Sequence, residues 1–247
     1  MNVSGNTILI TGGASGIGFA FAERLLKEDN TIIVCGRREE RLREVQKQYP
    51  DIHTKVVDIA DEQDRIRLVD EVKKEFPQLN VLFNNAGIQR NYRIKDGVES
   101  WADQRGELAT NLDAPIHLTT LLLPHLQQQE NAAIINVTSG LAFSPKASAP
   151  VYCATKAALH SFTLSLRHQL KNSKIEVVEI VPPGVNTDLG GAGLHTWGVP
   201  VDEFADGILE RLKKGEQEIG YGSSERNRTA SREELDSVFE QMNNRGL

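Results

Sequence analysis

Only two cysteines occur in the 247 residues, Cys35 and Cys153, far apart and in no metal-binding or redox spacing. That excludes a disulfide scaffold and a thiolate metal site, and it fits a reducing compartment. The six histidines form no metal pattern either. His117 and His125, like His160 and His168, stand eight apart on helical stretches and read as solvated side chains. Charge of one sign is never concentrated: the net charge is −6, with no long acidic or basic run. Neither nucleic acid nor an anionic membrane surface is an expected partner. No apolar run approaches the roughly 18 residues a membrane span needs, so no membrane insertion is expected. The opening "MNVSGNTILIT" has no basic stretch ahead of an apolar one. A cytoplasmic protein is expected.

What is present is alternation. Short β-branched runs at 7–11, 31–35, 52–58, 80–84, 132–138 and 175–181 are separated by amphipathic helical patterns, one of them long, from about 100 to 128. Strands that are apolar at nearly every position belong to a parallel sheet covered on both faces. Right-handed crossovers then favour an α/β, doubly wound parallel sheet of the Rossmann type. A weak seventh strand, "QEIGYG", follows a helix after residue 200. The expected organisation is one domain over residues 1–222 and a short helical tail over 223–247. In that tail Ser231 stands three residues before Glu234, a capping-box signature.

The first strand runs into "TGGASGIG", residues 11–18, and then into a helix. Glycines at 12, 16 and 18 permit a tight turn and a close approach to a pyrophosphate, which the helix N-terminus then faces. An NAD site would place a carboxylate at the end of the second strand to hold the ribose hydroxyls. Here the sequence reads "CGRR", so Arg37 is available to fork onto a 2′-phosphate and no acid repels it. NADP(H) is the preferred cofactor, with NAD not excluded. The glycine loop itself supplies no basic residue, since Ser15 stands there.

"PVYCATKAAL", residues 150–159, places Tyr152 one helical turn before Lys156. Spacing alone does not separate a catalytic pair from a chance pair on a helix surface. Together with the glycine loop, however, it makes the chain resemble the short-chain dehydrogenase/reductase family. Further motifs agree: Asp58 after the third strand, "NNAG" at 84–87, Asn111 in "TNLDAP", and Ser139 thirteen residues before Tyr152. Phrases such as "LAFSP", "LRHQL" and the terminal "FEQMN" resemble the bacterial DltE-type subgroup. Two departures stand out: Pro183 replaces the glycine usual after the sixth strand, and the C-terminus lacks the family's ordinary ending. The second puts the family's common tetramer in doubt and leaves a homodimer, through helices 100–128 and 151–171, as the expected assembly. Leu118, Leu121, Leu122, Phe162 and Leu166 supply apolar surface on those helices, some of it facing the sheet.

The resemblance implies roles. Tyr152 is the general acid in reduction and the base in oxidation; Lys156, together with the positive nicotinamide ring, lowers its pKa, and Lys156 also binds the nicotinamide ribose. Ser139 donates to the substrate oxygen, and Asn111 holds a water leading from Lys156 to solvent. Gly12, Ser15, Gly16, Ile17 and Gly18 hold the pyrophosphate side of the cofactor, with Arg37 at the 2′-phosphate. Asp58 and Ile59 meet the adenine. Asn85, Ala86 and Gly87 line the middle, and Pro182, Val185 and Thr187 meet the nicotinamide. The expected activity is NADP(H)-dependent oxidation or reduction of a small carbonyl/alcohol substrate, with no metal. The competing expectation is a regulator that senses NADP(H) on the same fold without turnover. The loops "IQRNYRIKDG", "LAFSPKASAP" and "DLGGAGLHTWG" would shape the substrate pocket, and they carry no readable code. Cys153 reads as a small buried residue facing away from it.

Overall fold

Seven strands form a single parallel sheet in the order β3-β2-β1-β4-β5-β6-β7. In the computed structural model, which describes residues 2–97 and 100–244, these are β1 Thr7–Thr11, β2 Thr31–Gly36, β3 Ile52–Val56, β4 Val81–Asn84, β5 Ala133–Val137, β6 Glu176–Val181 and β7 Glu218–Gly220. The strand order reverses between β1 and β4. That opens a crevice beyond their C-terminal ends, the place where such sheets bind ligands. Successive side chains of β1 explain its unbroken apolar character. Ile8 and Ile10 enter the core on one face while Leu9 enters the other.

The first core packs α1 (Gly16–Leu26), α2 (Glu39–Gln48) and α7 (Val201–Lys213) on the sheet, centred on Phe21, Phe83 and Phe204. The second packs α3 (Glu62–Glu75), α5 (Ala114–Leu126) and α6 (Pro150–Gln169) through Leu68, Leu118, Leu122 and Leu166. Those last three leucines therefore serve their own sheet. Leu121 and Phe162 are only partly buried, and Leu164 is exposed. Arg24 ties α1 to α7 through Asp202 and Asp206.

The long helical stretch is not continuous. α4 (Trp101–Leu108) passes into a π-helical turn, Ala109–Asp113, before α5 begins. Asn111 sits in that turn, where the hydrogen-bond register slips by one residue; such slips cluster at functional sites. The tail folds as α8 (Ser223–Thr229) and α9 (Arg232–Asn244). The capping box forms as expected. Ser231 N–H donates to Glu234 Oε2 at 2.7 Å, and Glu234 N–H donates to Ser231 Oγ at 3.3 Å. Residues 245–247 of the expected tail lie outside the described residues.

Candidate active site

The C-terminal ends of β1, β2, β4, β5 and β6 open into one cleft of about 1810 Å³. Every residue expected to bind cofactor or substrate lines it, with two exceptions, Gly18 and Asn111. Gly18 is small for a packing reason: a Cβ there would strike the Asn85 side-chain amide and the Gly12 carbonyl. Asn85 in turn donates its amide to Thr11 O at 2.9 Å, pinning the glycine loop to the end of β4. Thr11 Oγ1 completes the fixture by accepting from the N–H groups of Asn85 and Ala86, each at 3.0 Å.

Gly12 and Gly16 have φ of +67° and +55°, conformations that favour glycine. The Ser15 side chain at the N-cap of α1 makes no capping bond, so the first amides of α1 are left to face the cleft. A pyrophosphate fits this cradle. The Ser15 hydroxyl is instead met by Arg38 Nη2 at 2.9 Å. Arg38, beside the expected Arg37, thus brings to the glycine loop the positive charge that the loop sequence lacks. Arg37 lies 3.9 Å from Asp58, both side chains being about half exposed. Arg65, fully formed into the fold and unremarked in the sequence, donates to Ile59 O at 2.6 Å and to His117 Nδ1 at 3.0 Å. It fixes the turn that carries Asp58 and Ile59.

Ser139, Tyr152 and Lys156 meet on the other side of the cleft, all three buried. Pro150 at the start of α6 presets the first turn, which puts Tyr152 at the cleft wall and Lys156 one turn deeper. Lys156 Nζ donates to Val137 O at 2.8 Å and lies 5.7 Å from the centre of the Tyr152 ring. Burial pulls its ammonium down to about 8. Burial also pushes the Tyr152 phenol above its ordinary range, with the Ser139 hydroxyl pulling the other way. The expected depression of the phenol relies on Lys156 together with the positive nicotinamide ring, and in the chain alone burial prevails. The ammonium is turned onto a carbonyl, and desolvation outweighs it.

Asn111 is fully buried behind the cleft. Its Oδ1 accepts from Ile88 N–H at 2.9 Å, and its Nδ2 donates to Ile88 O at 2.8 Å and Thr155 Oγ1 at 3.2 Å. Thr155 Oγ1 donates to Tyr152 O at 2.7 Å. The side chain thereby couples the "NNAG" loop to the catalytic helix, and the two amide atoms are spent on protein. Cys153 accepts from Lys146 N–H at 3.3 Å, and its side chain stays out of the cleft lining.

The histidine expectation needs correction. His160 is no solvated side chain: its Nδ1 stands 2.9 Å from both oxygens of Glu179, which is wholly buried on β6. His117 takes the Arg65 guanidinium, and His125 meets Leu79 O at 3.0 Å. The signal for Glu179 was in the sequence, an acid in the middle of the apolar run "VVEIV".

The substrate end is walled by loops. Trp197 lies against Gly184, where a Cβ would meet its ring, and donates Nε1–H to Leu194 O at 3.1 Å. On the other side α9 contributes Val238, Gln241 and Met242 to the cleft. Asn243 holds that helix to the loop before α6, accepting from Ala147 N–H at 2.6 Å and donating to Pro145 O at 3.0 Å.

A family model for short chain dehydrogenases matches residues 6–195. The oxidoreductase DltE of Bacillus subtilis (strain 168) is 49% identical over 248 residues, covering 98% of both chains. Sulfoacetaldehyde reductase 2 of Chromohalobacter salexigens is 32% identical over 185 residues, 73% of each chain. Among solved structures, a short-chain dehydrogenase from Burkholderia cenocepacia in complex with NADP superposes with a TM-score of 0.83 at 24% identity, over 97% of this chain and 99% of that one. The chain belongs to the short-chain dehydrogenase family, and it is of the DltE type.

Proposed function

We propose that this short-chain dehydrogenase is an NADP(H)-dependent oxidoreductase acting on a small carbonyl/alcohol pair, with Ser139, Tyr152 and Lys156 as its catalytic residues and Asn111 holding them in place. The observation that carries this reading is the convergence of the three on the same cleft as the glycine loop. When bound, the nicotinamide supplies or accepts the hydride. The protein manages the proton. A phenol whose pKa is raised by burial stays protonated through neutral pH, the state in which Tyr152 gives its proton to the substrate oxygen during reduction. Ser139 Oγ, beside it, donates to the same oxygen as charge develops there. Lys156, with its ammonium turned toward Val137 O, is placed to hold the ribose and to offset negative charge on the phenol.

Arg37 and Arg38 support the choice of NADP(H). Two guanidinium groups border the end of β2, and Asp58 is already within reach of one of them. The reading as a cytoplasmic enzyme rests on the reduced, buried state of both cysteines; among the described residues no helix is long and apolar enough to cross a membrane.

The substrate side favours an anionic carbonyl compound. A cavity of about 260 Å³ adjoins the cleft; among the described residues its lining includes Lys95 and Lys146 and no carboxylate, and Lys146 and Met242 line both spaces. A relative named for sulfoacetaldehyde, an aldehyde bearing a sulfonate, supports the same class.

The test is turnover of a carbonyl panel followed by the absorbance of the reduced nicotinamide, with Tyr152→Phe as control. The Phe variant keeps the packed ring and loses the proton, so kcat falls by about 10²-fold or more while cofactor affinity holds. Cofactor binding with no turnover by the wild type on any substrate would favour a regulator that senses NADP(H). Near-normal turnover by Tyr152→Phe would remove the tyrosine from its role.

A further inference from the structure

Beneath the site lies an ionisable cluster that the chemistry above leaves unused. Glu179 is fully buried on β6, paired in register with Asn136 of β5. Its carboxylate accepts from Thr138 Oγ1 at 2.6 Å and from His160 Nδ1 at 2.9 Å. A carboxylate can only accept, so Nδ1 of His160 carries a proton. The far side of the imidazole packs on Phe143, ring centres 4.7 Å apart.

The partners of this carboxylate are the immediate neighbours of the catalytic groups. Thr138 stands between Val137, whose carbonyl holds Lys156, and Ser139. His160 stands one turn beyond Lys156 on α6. One buried side chain therefore grips both the strand end that presents Ser139 and the helix that presents Tyr152 and Lys156. A buried carboxylate is costly unless fully bonded, so its partners are held firmly in place.

We infer that Glu179 is a positioning residue for the reaction, clamping residues 137–139 to the catalytic helix through Thr138 and His160. The hydrogen bond to Glu179 raises the pKa of His160, against the desolvation that lowers it. Glu218 on β7 also raises it, and Arg167, on α6 itself, lowers it. Arg167 pairs with Glu218 at 3.5 Å, and Arg228 of α8 lies 3.6 Å from the same carboxylate, so the charge of Glu218 is shared between two guanidinium groups. The clamp is charge-assisted while the imidazole is protonated and weakens as pH rises through its raised pKa.

The proposal rests on the oxidoreductase reading, and the experiment separates the two. In Glu179→Gln the size is kept, Thr138 can still donate, and the charge is gone. The expected result is a kcat loss of about ten- to a hundredfold, the scale for small misplacement of reacting groups, with cofactor Kd unmoved. The His160 imidazole, followed by NMR, should titrate at lower pH than in the wild type. In the wild type kcat should decline as pH rises through His160's raised pKa; His160→Gln keeps a neutral donor to Glu179 and should lose that decline. It also carries the test should Glu179→Gln fail to fold. Wild-type kcat in Glu179→Gln at every pH, or a wild-type pH profile in His160→Gln, overturns the clamp. Absence of turnover by the wild type overturns the oxidoreductase reading instead.

Discussion

Cofactor choice gives the sharpest numerical test, because it compares two ligands that differ by one phosphate. The perturbations are Arg37→Ala, Arg38→Ala and Arg37→Asp. Among the described residues Arg37 pairs with Asp58 at 3.9 Å, and both side chains are exposed, 57% and 43%. Such a pair is worth about 0–1 kcal/mol, so it gives up little when the guanidinium turns to a 2′-phosphate. Arg38 holds Ser15 Oγ at 2.9 Å, a neutral partner that is surrendered as cheaply. A hydrogen bond to a charged group contributes about 1.5–3 kcal/mol, so removing either arginine should raise the NADPH Kd by about ten- to 150-fold. NADH, which lacks the phosphate, should change by about twofold or less, the small loss coming from a freer glycine loop. Arg37→Asp goes further, since the carboxylate repels the phosphate and accepts from the ribose hydroxyl; NADH then gains relative to NADPH. Calorimetric or fluorescence titration of all four proteins with both cofactors supplies the numbers. Raising the salt should narrow the wild-type preference, because both arginines lie at the surface. Equal loss of the two cofactors in the alanine variants, or a wild type that already prefers NADH, refutes the argument.

Lys156→Met should abolish turnover yet leave the melting temperature at neutral pH equal to or above that of the wild type. A folded-state pKa of about 8 against an unfolded value of 10.5 is a cost of about 3 kcal/mol, only partly offset by the bond to Val137 O. Because the unfolded chain binds the extra proton between those values, wild-type stability should recover relative to the variant as pH rises from 8 to 10.5; a strongly destabilised Met variant contradicts this. Lys146→Ala should raise KM several-fold for carbonyl substrates bearing a sulfonate or carboxylate and leave matched neutral substrates unaffected; an equal effect on both classes removes the anion site. Light scattering at micromolar concentration should show a homodimer formed through α5 and α6, where Leu121, Phe162 and Leu164 remain outside the core. A monomer would show those residues to be ordinary surface.

Much of the fold was legible because both faces of the sheet are covered. Strands such as "TILIT" and "AIINV" are buried at every position, so their apolar runs stand out against amphipathic helices. The site was legible where chemistry demands one residue type at a fixed spacing, as with Gly12, Gly16, Tyr152 and Lys156. It was illegible where geometry chooses between similar neighbours. "CGRR" offers two arginines, and only the structure shows that Arg38, at the N-cap of α2, turns back onto Ser15. The π turn at 109–113 inserts one residue into a helical register without altering apolar periodicity enough to show. Histidine spacing suggested solvation, since the partner that orders His160 is 19 residues away on β6.

The arrangement also explains why the reaction is easier to read than the substrate. The catalytic groups project from strand ends and from α6, whose inner faces carry fully buried leucines, isoleucines and valines. Opening that region means exposing core, so it sits at the high-stability end of the molecule. The substrate wall is built otherwise. α9 has no buried residue, and it is moored to the loop before α6 by Asn243 and by the bond from Ser144 Oγ to Leu235 O at 3.4 Å. Few apolar contacts oppose its movement, and the side chains it offers, Val238, Gln241 and Met242, can change without cost to the core. Hydride and proton transfer need fixed distances, and the buried groups supply them. Recognition needs a surface that can vary, and a weakly moored helix supplies that. The same division bears on the cavity lined by basic residues: Lys146 and Asn243 belong to the loop and the helix of that mooring, so an anionic substrate held there would also draw α9 onto the site.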